Sequence, residues 1–233
     1  GRWEASVTAA YELGFPSDRL FARATRILDD AGSRYGKAFD WTLGGGTVLA
    51  LRHGHRRSKD IDVFVPDPQY LGYLTPRLSD VACEGDPDYE EAAEYVKLRY
   101  AEGEVDFVVG GLLTTPGAQP AIVQGRLIQL ETDVEILAKK LFFRGDRFKA
   151  RDLFDLAMLL ESNVSVAAEL SPWATRHRIA LTRLLESRAD SLRATFEAID
   201  ALQFGPDFST AVAQGLAFLR GTRGHRSSGG VTE

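Results

Sequence analysis

Residues 43–65 read LGGGTVLALRHGHRRSKDIDVFV, a window that joins three glycines, a basic cluster and two aspartates one residue apart. The preceding run 39–43 is rich in strand formers, and the glycines 44–46 predict a turn. Residues 47–51 then indicate the start of a helix, and the alternation over 59–65 predicts a second strand. The predicted order is strand, glycine turn, helix, strand.

The two aspartates of this window, Asp60 and Asp62, face the same side of the predicted strand, because side chains alternate between the two faces. Adjacent carboxylates repel each other unless a cation lies between them, and Mg²⁺ accepts a few carboxylates together with phosphate oxygens. The glycine turn can bring backbone N–H groups to a triphosphate, and Thr47 can add a hydroxyl. A two-metal site usually needs a third carboxylate from a neighbouring strand, for which Asp106 is the candidate.

Each feature also has a simpler interpretation. A glycine run can be only a turn, and an Asp-x-Asp pair on a strand edge can be solvated surface. The arginines of the window, Arg52, Arg56 and Arg57, could bind phosphates or could only neutralise the acidic pair. His53 and His55 have no cysteine near them and do not predict a zinc site. The combination favours nucleotide binding because its order is the one that nucleotidyl transfer needs.

The rest of the chain mixes strands and helices up to residue 131 and is helical beyond it. Strand-like runs are predicted at 95–100, 105–109 and 122–130, the first two as a hairpin. Helical spacing predicts helices at 17–31, 70–81, 132–141, 150–160, 172–188 and 189–203. Thr132 and Glu135 predict a capping box, and the acidic stretch 86–94 predicts an exposed connection.

These patterns predict three segments. An α/β core occupies 1–131, a helical domain that completes the active site occupies 132–220, and a Gly- and Ser-rich tail over 221–233 has too little apolar surface to pack and is expected to be disordered.

The composition is that of a globular chain, with 44% hydrophobic and 26% charged residues, and no apolar run reaches the roughly 18 residues of a membrane span. The formal net charge of −5 argues against a non-specific nucleic-acid binder, although basic clusters at 52–59, 139–151 and 176–183 leave room for a local basic face. The lone Cys83 and the absence of a visible signal peptide favour the cytoplasm, and no membrane partner is expected.

The motif GGTVLALRHGHRRSKDID at 45–62 resembles the first motif of the AbiEii-type nucleotidyltransferases, toxins of abortive-infection and type IV toxin–antitoxin systems in the polymerase-β-like superfamily. Further along, EILAKKL at 135–141 and KARDLFDL at 149–156 are similar to the later lysine and RDL[YF]DL motifs of that family.

The resemblance implies an α+β fold, with a polymerase-β-like nucleotidyltransferase core of a small mixed sheet flanked by helices and a helical C-terminal region. It implies Asp60 and Asp62 as metal ligands, with Asp106 as a weaker third. Lys140 would be the lysine near the nucleotide and Asp152 the later acidic residue. Lys139 and Asp155 remain alternatives, because the lysines stand in tandem and residues three apart share a helix face. The implied NTP contacts are Gly44, Gly45, Gly46, Thr47, Arg56, Arg57 and Ser58.

The resemblance further implies an NTP co-substrate, Mg²⁺ with Mn²⁺ as the alternative ion, and an acceptor expected to be the 3′ end of tRNA. Such a toxin would block translation and growth, as in phage defence, and would have an antitoxin with a DNA-binding domain. Two other functions stay open: transfer of NMP to a protein hydroxyl, and a non-catalytic nucleotide-binding or partner-binding module. The intact glycine turn, Asp-x-Asp pair and Lys140 argue against the last.

Overall fold

The computed structural model describes residues 9–163, 165–202 and 205–221. These residues form two compact units, one of 9–136 with 200–202 and the other of 137–163, 165–199 and 205–221. Within this described part, none of the helices has the length and apolar character that crossing a membrane requires. The predicted tail lies outside the described residues except for Gly221, which ends a helix.

The first unit contains a mixed sheet. Its strands are β1 (Ala10–Tyr11), β2 (Thr42–Gly44), β3 (Ile61–Val65), β4 (Asp88–Ala92), β5 (Tyr95–Tyr100), β6 (Gly103–Val109), β7 (Ala118–Val123) and β8 (Arg126–Glu131). The order across the sheet is β1-β7-β8-β2-β3-β6-β5-β4. At its centre, β3 runs antiparallel to β2 and parallel to β6.

Helices occur in both units. The first four are α1 (Ser17–Tyr35), α2 (Gly45–His53), α3 (Leu71–Leu74) and α4 (Asp80–Cys83). They are followed by α5 (Asp133–Arg144), α6 (Ala150–Ser162), α7 (Val166–Ala174), α8 (Arg178–Ser187), α9 (Asp190–Glu197) and α10 (Phe208–Gly221). A mixed sheet with helices, followed by a helical region, confirms the predicted α+β class.

Alternation along β3 and β6 gives the sheet two different faces. One face carries Ile61, Val63 and Phe107, which are almost fully buried, and α1 packs on these strands. Each such side chain contributes about 1.5–3 kcal/mol when removed from water. The other face carries the partly exposed Asp62 and Asp106. The pleat therefore buries the apolar set and leaves the carboxylates on the opposite side.

The positions predicted from the sequence agree with α1, α2, β3, the β5–β6 hairpin and α6. The single strand over 122–130 is wrong, because Gln124 and Gly125 adopt positive φ and turn the chain between β7 and β8. The single helix over 70–81 is also wrong. Pro76 follows the end of α3 at Leu74, and the residue before a proline is driven to extended geometry.

Three further predictions need correction. The connection at 86–94 is exposed as expected, but it contains β4, an edge strand. Two helices replace the single helix predicted over 172–188. The first, α7, begins at Val166, includes Pro172 and ends at Ala174, and α8 begins at Arg178. The helix over 189–203 ends at Glu197. At the predicted capping box, Glu135 N donates to Thr132 Oγ1, and the Glu135 carboxylate accepts from the backbone of Leu113 and Thr114.

Candidate active site

The glycine turn lies directly against an aspartate and an arginine. Gly44 ends β2 and pairs with Asp62 of β3, and α2 begins at the next residue. Gly45 has φ +75°, and a Cβ added there would overlap the Asp62 carboxylate; one added to Gly46 would lie 2.5 Å from Arg56 Nη2. Only glycine permits this approach, so the sequence brings Asp62 and Arg56 to the N-terminus of α2.

Hydroxyl groups fix the loop that leads into β3. Thr47 Oγ1 donates to the carbonyl of Asp60 over 2.5 Å and lies 2.9 Å from Ser58 Oγ. Thr47 is buried, and its hydroxyl orients the loop before Asp60. Its contact with a triphosphate stays a prediction. Ser58 Oγ is also 3.6 Å from the place of a Gly46 Cβ, which puts it beside the turn.

The basic residues of the 43–65 window differ in burial and in their contacts. Arg56 is buried beside Gly46, whereas Arg57 is exposed and pairs with Asp200 at 2.9 Å. Arg52 and His53 both contact Asp133, at 2.8 and 2.7 Å, in the first turn of α5. Of the predicted phosphate-binding arginines, the structure brings Arg56 to the glycine turn and holds Arg57 in a surface ion pair.

Three carboxylates lie at the paired strands β3 and β6, and two of them, Asp62 and Asp106, are on the same face. The parallel register of β3 and β6 places Asp106 directly opposite Asp62. Asp60 Oδ1 accepts from the backbone N–H of Glu104 at 3.1 Å, at the start of the same strand pair. Asp106 Oδ1 is buried without a hydrogen-bond partner, and Oδ2 accepts from Lys97 Nζ at 2.7 Å.

The charges at Asp106 and Lys97 influence each other. Burial raises the pKa of Asp106 above its ordinary value, the charge of Asp60 adds to this, and the bond from Lys97 only partly offsets it. Burial alone would lower the pKa of Lys97, but its bonds to Asp106 and Glu104 outweigh burial and raise that pKa. Lys97 therefore stays charged beside the third carboxylate at neutral pH.

The donor set suits a hard divalent cation bound together with phosphate. No group of three His, Cys, Asp or Glu side chains in the described ranges is arranged to hold a metal by itself. Mg²⁺, however, is usually held by one or two carboxylates, with waters and substrate phosphates completing its octahedron. Asp62 provides a carboxylate next to the glycine turn, Asp60 stands two residues before it, and the partnerless Oδ1 belongs to Asp106, which pairs with Asp62.

The later motifs form a separate buried ion cluster in the second unit. Lys140 Nζ lies 2.6 Å from Asp155 Oδ2 and 3.1 Å from Asp152 Oδ1, and Arg144 Nη2 is 2.5 Å from the latter oxygen. Burial alone would raise the pKa of Asp152, but the charges of Lys140 and Arg144 outweigh it and hold that pKa below its ordinary value. Both candidate aspartates thus contact Lys140, while Lys139 is buried as well.

A cavity of about 450 Å³ opens on the carboxylate face of the sheet. Phe64 and Thr42 line it, two residues along their strands from Asp62 and Gly44, and Trp41 and Leu127 add apolar surface. Sequence reasoning missed both this cavity and Lys97. The register of the predicted hairpin would have indicated the position of Lys97, because pairing Tyr100 with Gly103 places Lys97 opposite Asp106.

Gly45→Ala is expected to lower the free energy of unfolding of the full chain by about 1–3 kcal/mol, because a left-handed φ strains alanine and the new methyl group meets Asp62. Thermal unfolding measures the loss. Gly72→Ala is the matched control, since a Cβ there meets no atom within 4 Å. A Gly45→Ala chain as stable as wild type would contradict the contact between this turn and Asp62.

Comparison with known proteins places these features in a family. The family profile described as nucleotidyl transferase AbiEii toxin of a type IV toxin–antitoxin system matches residues 26–214. No curated protein matches the chain significantly. Similar solved structures include JHP933 from Helicobacter pylori, at 17% identity over 90% of this chain and 93% of that chain, with a TM-score of 0.44.

Two further solved structures are similar. MenT4, a nucleotidyltransferase toxin from Mycobacterium tuberculosis H37Rv, has 16% identity over 88% of this chain and 84% of that chain, with a TM-score of 0.49. ANT(2″)-Ia in complex with adenylyl-2″-tobramycin has 14% identity over 66% of this chain and 95% of that chain, with a TM-score of 0.46. The family profile itself spans both the glycine–aspartate window and the later lysine and RDLFDL motifs. The chain therefore belongs to the AbiEii family of nucleotidyl transferase toxins of type IV toxin–antitoxin systems.

Proposed function

We propose that this nucleotidyltransferase uses Mg²⁺ to transfer a nucleoside monophosphate from an NTP to the 3′ end of tRNA. The observation that carries the proposal is the approach of Asp62 and Arg56 to the glycines at the N-terminus of α2. A helix N-terminus offers free N–H groups to an anion, an arginine fork matches phosphate oxygens, and the aspartates hold the ion.

The reaction balances as a substitution at the α-phosphorus. The acceptor hydroxyl oxygen forms a bond to this phosphorus, the bond to the β-phosphate oxygen breaks, pyrophosphate leaves and the hydroxyl proton passes to solvent or to a base. Gly45 and Gly46 orient the triphosphate through their backbone N–H groups, and Arg56 adds positive charge beside them. Bound Mg²⁺ would be held by Asp60 and Asp62 and would stabilise the charge that develops on the phosphate oxygens.

A nucleic acid is the favoured acceptor because the cavity on the same face has aromatic walls. Trp41 and Phe64 line it, and aromatic side chains bind unpaired bases by stacking, worth about 1–3 kcal/mol for each base. The terminal base of an RNA placed there would lie along the strands that carry Gly44 and Asp62. Transfer to a protein hydroxyl has no comparable observation in its favour.

The type IV description of the family supports two further parts of the proposal. The protein is expected to act in the cytoplasm, where tRNA and NTPs are present. Its partner is expected to be an antitoxin with a DNA-binding domain, encoded beside it, and the toxin's action on translation would serve phage defence.

Incubation of the full chain with each α-labelled NTP, Mg²⁺ and total cell extract tests the acceptor. We expect label from one preferred NTP in a band of tRNA size that ribonuclease removes and protease leaves. The Asp60→Ala chain, at equal concentration, is the control for contaminating transferases. A labelled band that protease removes would instead establish transfer to protein, and no label with any NTP or acceptor would overturn the proposed reaction.

A further inference from the structure

Lys97 lies beside the third carboxylate of the candidate site. Its ammonium is 2.7 Å from Asp106 Oδ2 and 2.9 Å from Glu104 Oε2. The antiparallel register of β5 and β6 pairs Lys97 directly with Asp106, which in turn pairs with Asp62 across β3 and β6. A cation therefore lies two strands away from Asp62, which is expected to hold the metal, with Asp106 between them.

This arrangement bears on how many metal ions the site can take. A two-metal site holds its ions about 4 Å apart, and the third carboxylate helps to bind both. Here one oxygen of Asp106 already accepts from an ammonium, whose charge is compact. A second divalent ion at Asp106 would meet this positive charge at close range and in a partly buried place, where screening by water is weak.

We propose that Lys97 takes the place of a second divalent ion, so that the site binds one ion at Asp60 and Asp62 while the ammonium neutralises Asp106. Lys97 is then a positioning residue, since it acts through the Asp106 carboxylate. The inference rests on the proposed function, because it assumes that the aspartates of β3 hold a metal.

Arg99, on the same strand as Lys97, forms ion pairs with other carboxylates. It lies two residues from Lys97, on the same face, and its contacts go to Glu90 at 2.6 Å, Asp88 at 3.4 Å and Glu104 at 3.5 Å. None of these three contacts of Arg99 reaches Asp106. Removing Arg99 thus takes away one positive charge from the same strand and leaves the Lys97–Asp106 pair in place, which makes it a matched control.

The number of bound ions can be counted directly. Mn²⁺ is titrated into the full chain in the presence of a non-hydrolysable NTP analogue, and electron paramagnetic resonance measures free and bound Mn²⁺. We expect one ion per chain in wild type, in Arg99→Met and in Lys97→Arg, which keeps the charge. We expect two ions in Lys97→Met, with the dipolar broadening of two neighbouring Mn²⁺ ions.

Two results would overturn the inference: two ions in wild type, or one ion in a Lys97→Met chain whose circular dichroism matches wild type. If Lys97→Met fails to fold, Lys97→Gln takes its place in the ion count, and Asp106→Asn tests the third carboxylate, whose loss leaves Lys97 paired with Glu104. One ion should remain in that variant, and loss of the ion would refute a site at Asp60 and Asp62 alone.

The Asp62→Asn chain separates this inference from the proposed function. If its ion count equals that of wild type, the metal site at the β3 aspartates fails, and the inference fails with it. If its ion count falls and wild type binds two ions, the metal site stands and only the role of Lys97 is refuted.

Discussion

Asp62→Asn is expected to lower nucleotide incorporation by on the order of 10³-fold while the protein stays folded. The exchange keeps the shape of the side chain and removes one negative charge. Asp62 lies against Gly45 at the N-terminus of α2 and opposite Asp106, so its charge is placed where a metal and a triphosphate would meet. The neutral amide is a weak ligand for Mg²⁺, and the turn keeps its contact.

The rate of label transfer from an NTP to RNA measures this effect, with circular dichroism as the check on folding. Asp88→Asn is the matched control, because Asp88 lies on the exposed edge strand β4 and its carboxylate is largely exposed. The same pair of variants can be expressed in bacteria without an antitoxin. Wild type and Asp88→Asn should arrest growth, and Asp62→Asn should not. Incorporation within tenfold of wild type in Asp62→Asn would refute the proposed mechanism.

Much of this site could be predicted from residues 43–65 because local rules determine it. The alternation of Ile61, Asp62 and Val63 fixes the faces of β3, and the glycines fix the start of α2. The contact partners could not be predicted with the same ease. The hydrogen bond from Thr47 to the carbonyl of Asp60 depends on the path of a loop that has no periodic pattern.

Other errors come from turns and prolines whose effect depends on tertiary packing. Gln124 with Gly125 makes a turn within a continuous run of strand formers, and a non-glycine residue at positive φ has only a weak sequence signal. Pro172 marks a helix start in the sequence, yet α7 begins six residues earlier and its buried Val166 and Leu170 hold it. Local preference was outweighed there by burial.

The later motifs show a related limit. The sequence left open whether Lys139 or Lys140, and whether Asp152 or Asp155, is the functional residue. The structure shows that Lys140 contacts both aspartates, so contact with this lysine does not distinguish Asp152 from Asp155. The observed contacts of Asp152 and Asp155 are those of a salt-bridged helix face. Their role in transfer remains a prediction.

Lys140→Met is expected to lower the free energy of unfolding by about 3–5 kcal/mol, because removing one partner of a buried ion pair leaves the other charge uncompensated. Asp155 is fully buried and Asp152 is 1% exposed, so neither carboxylate can turn to water without a change in packing. Arg144 still contacts Asp152 in the variant and compensates part of its charge. Denaturant unfolding of the full chain measures the change, and Arg151→Met, an exposed basic residue on the same helix, should change it by no more than about 0.5 kcal/mol.

A double variant and a pH series test the cause. Lys140→Met combined with Asp155→Asn removes both charges, so it should lose less stability than the sum of the single variants. In wild type the pKa of Asp152 is lowered on folding, so its stabilisation is complete above the ordinary aspartate pKa and is lost as pH falls through the lower folded value. Lys140→Met should reduce that loss between neutral and acid pH, because it removes one of the charges that lower the pKa. A Lys140→Met chain with wild-type stability and no nucleotide incorporation would contradict the structural role and favour the one that the family motif implies for this lysine.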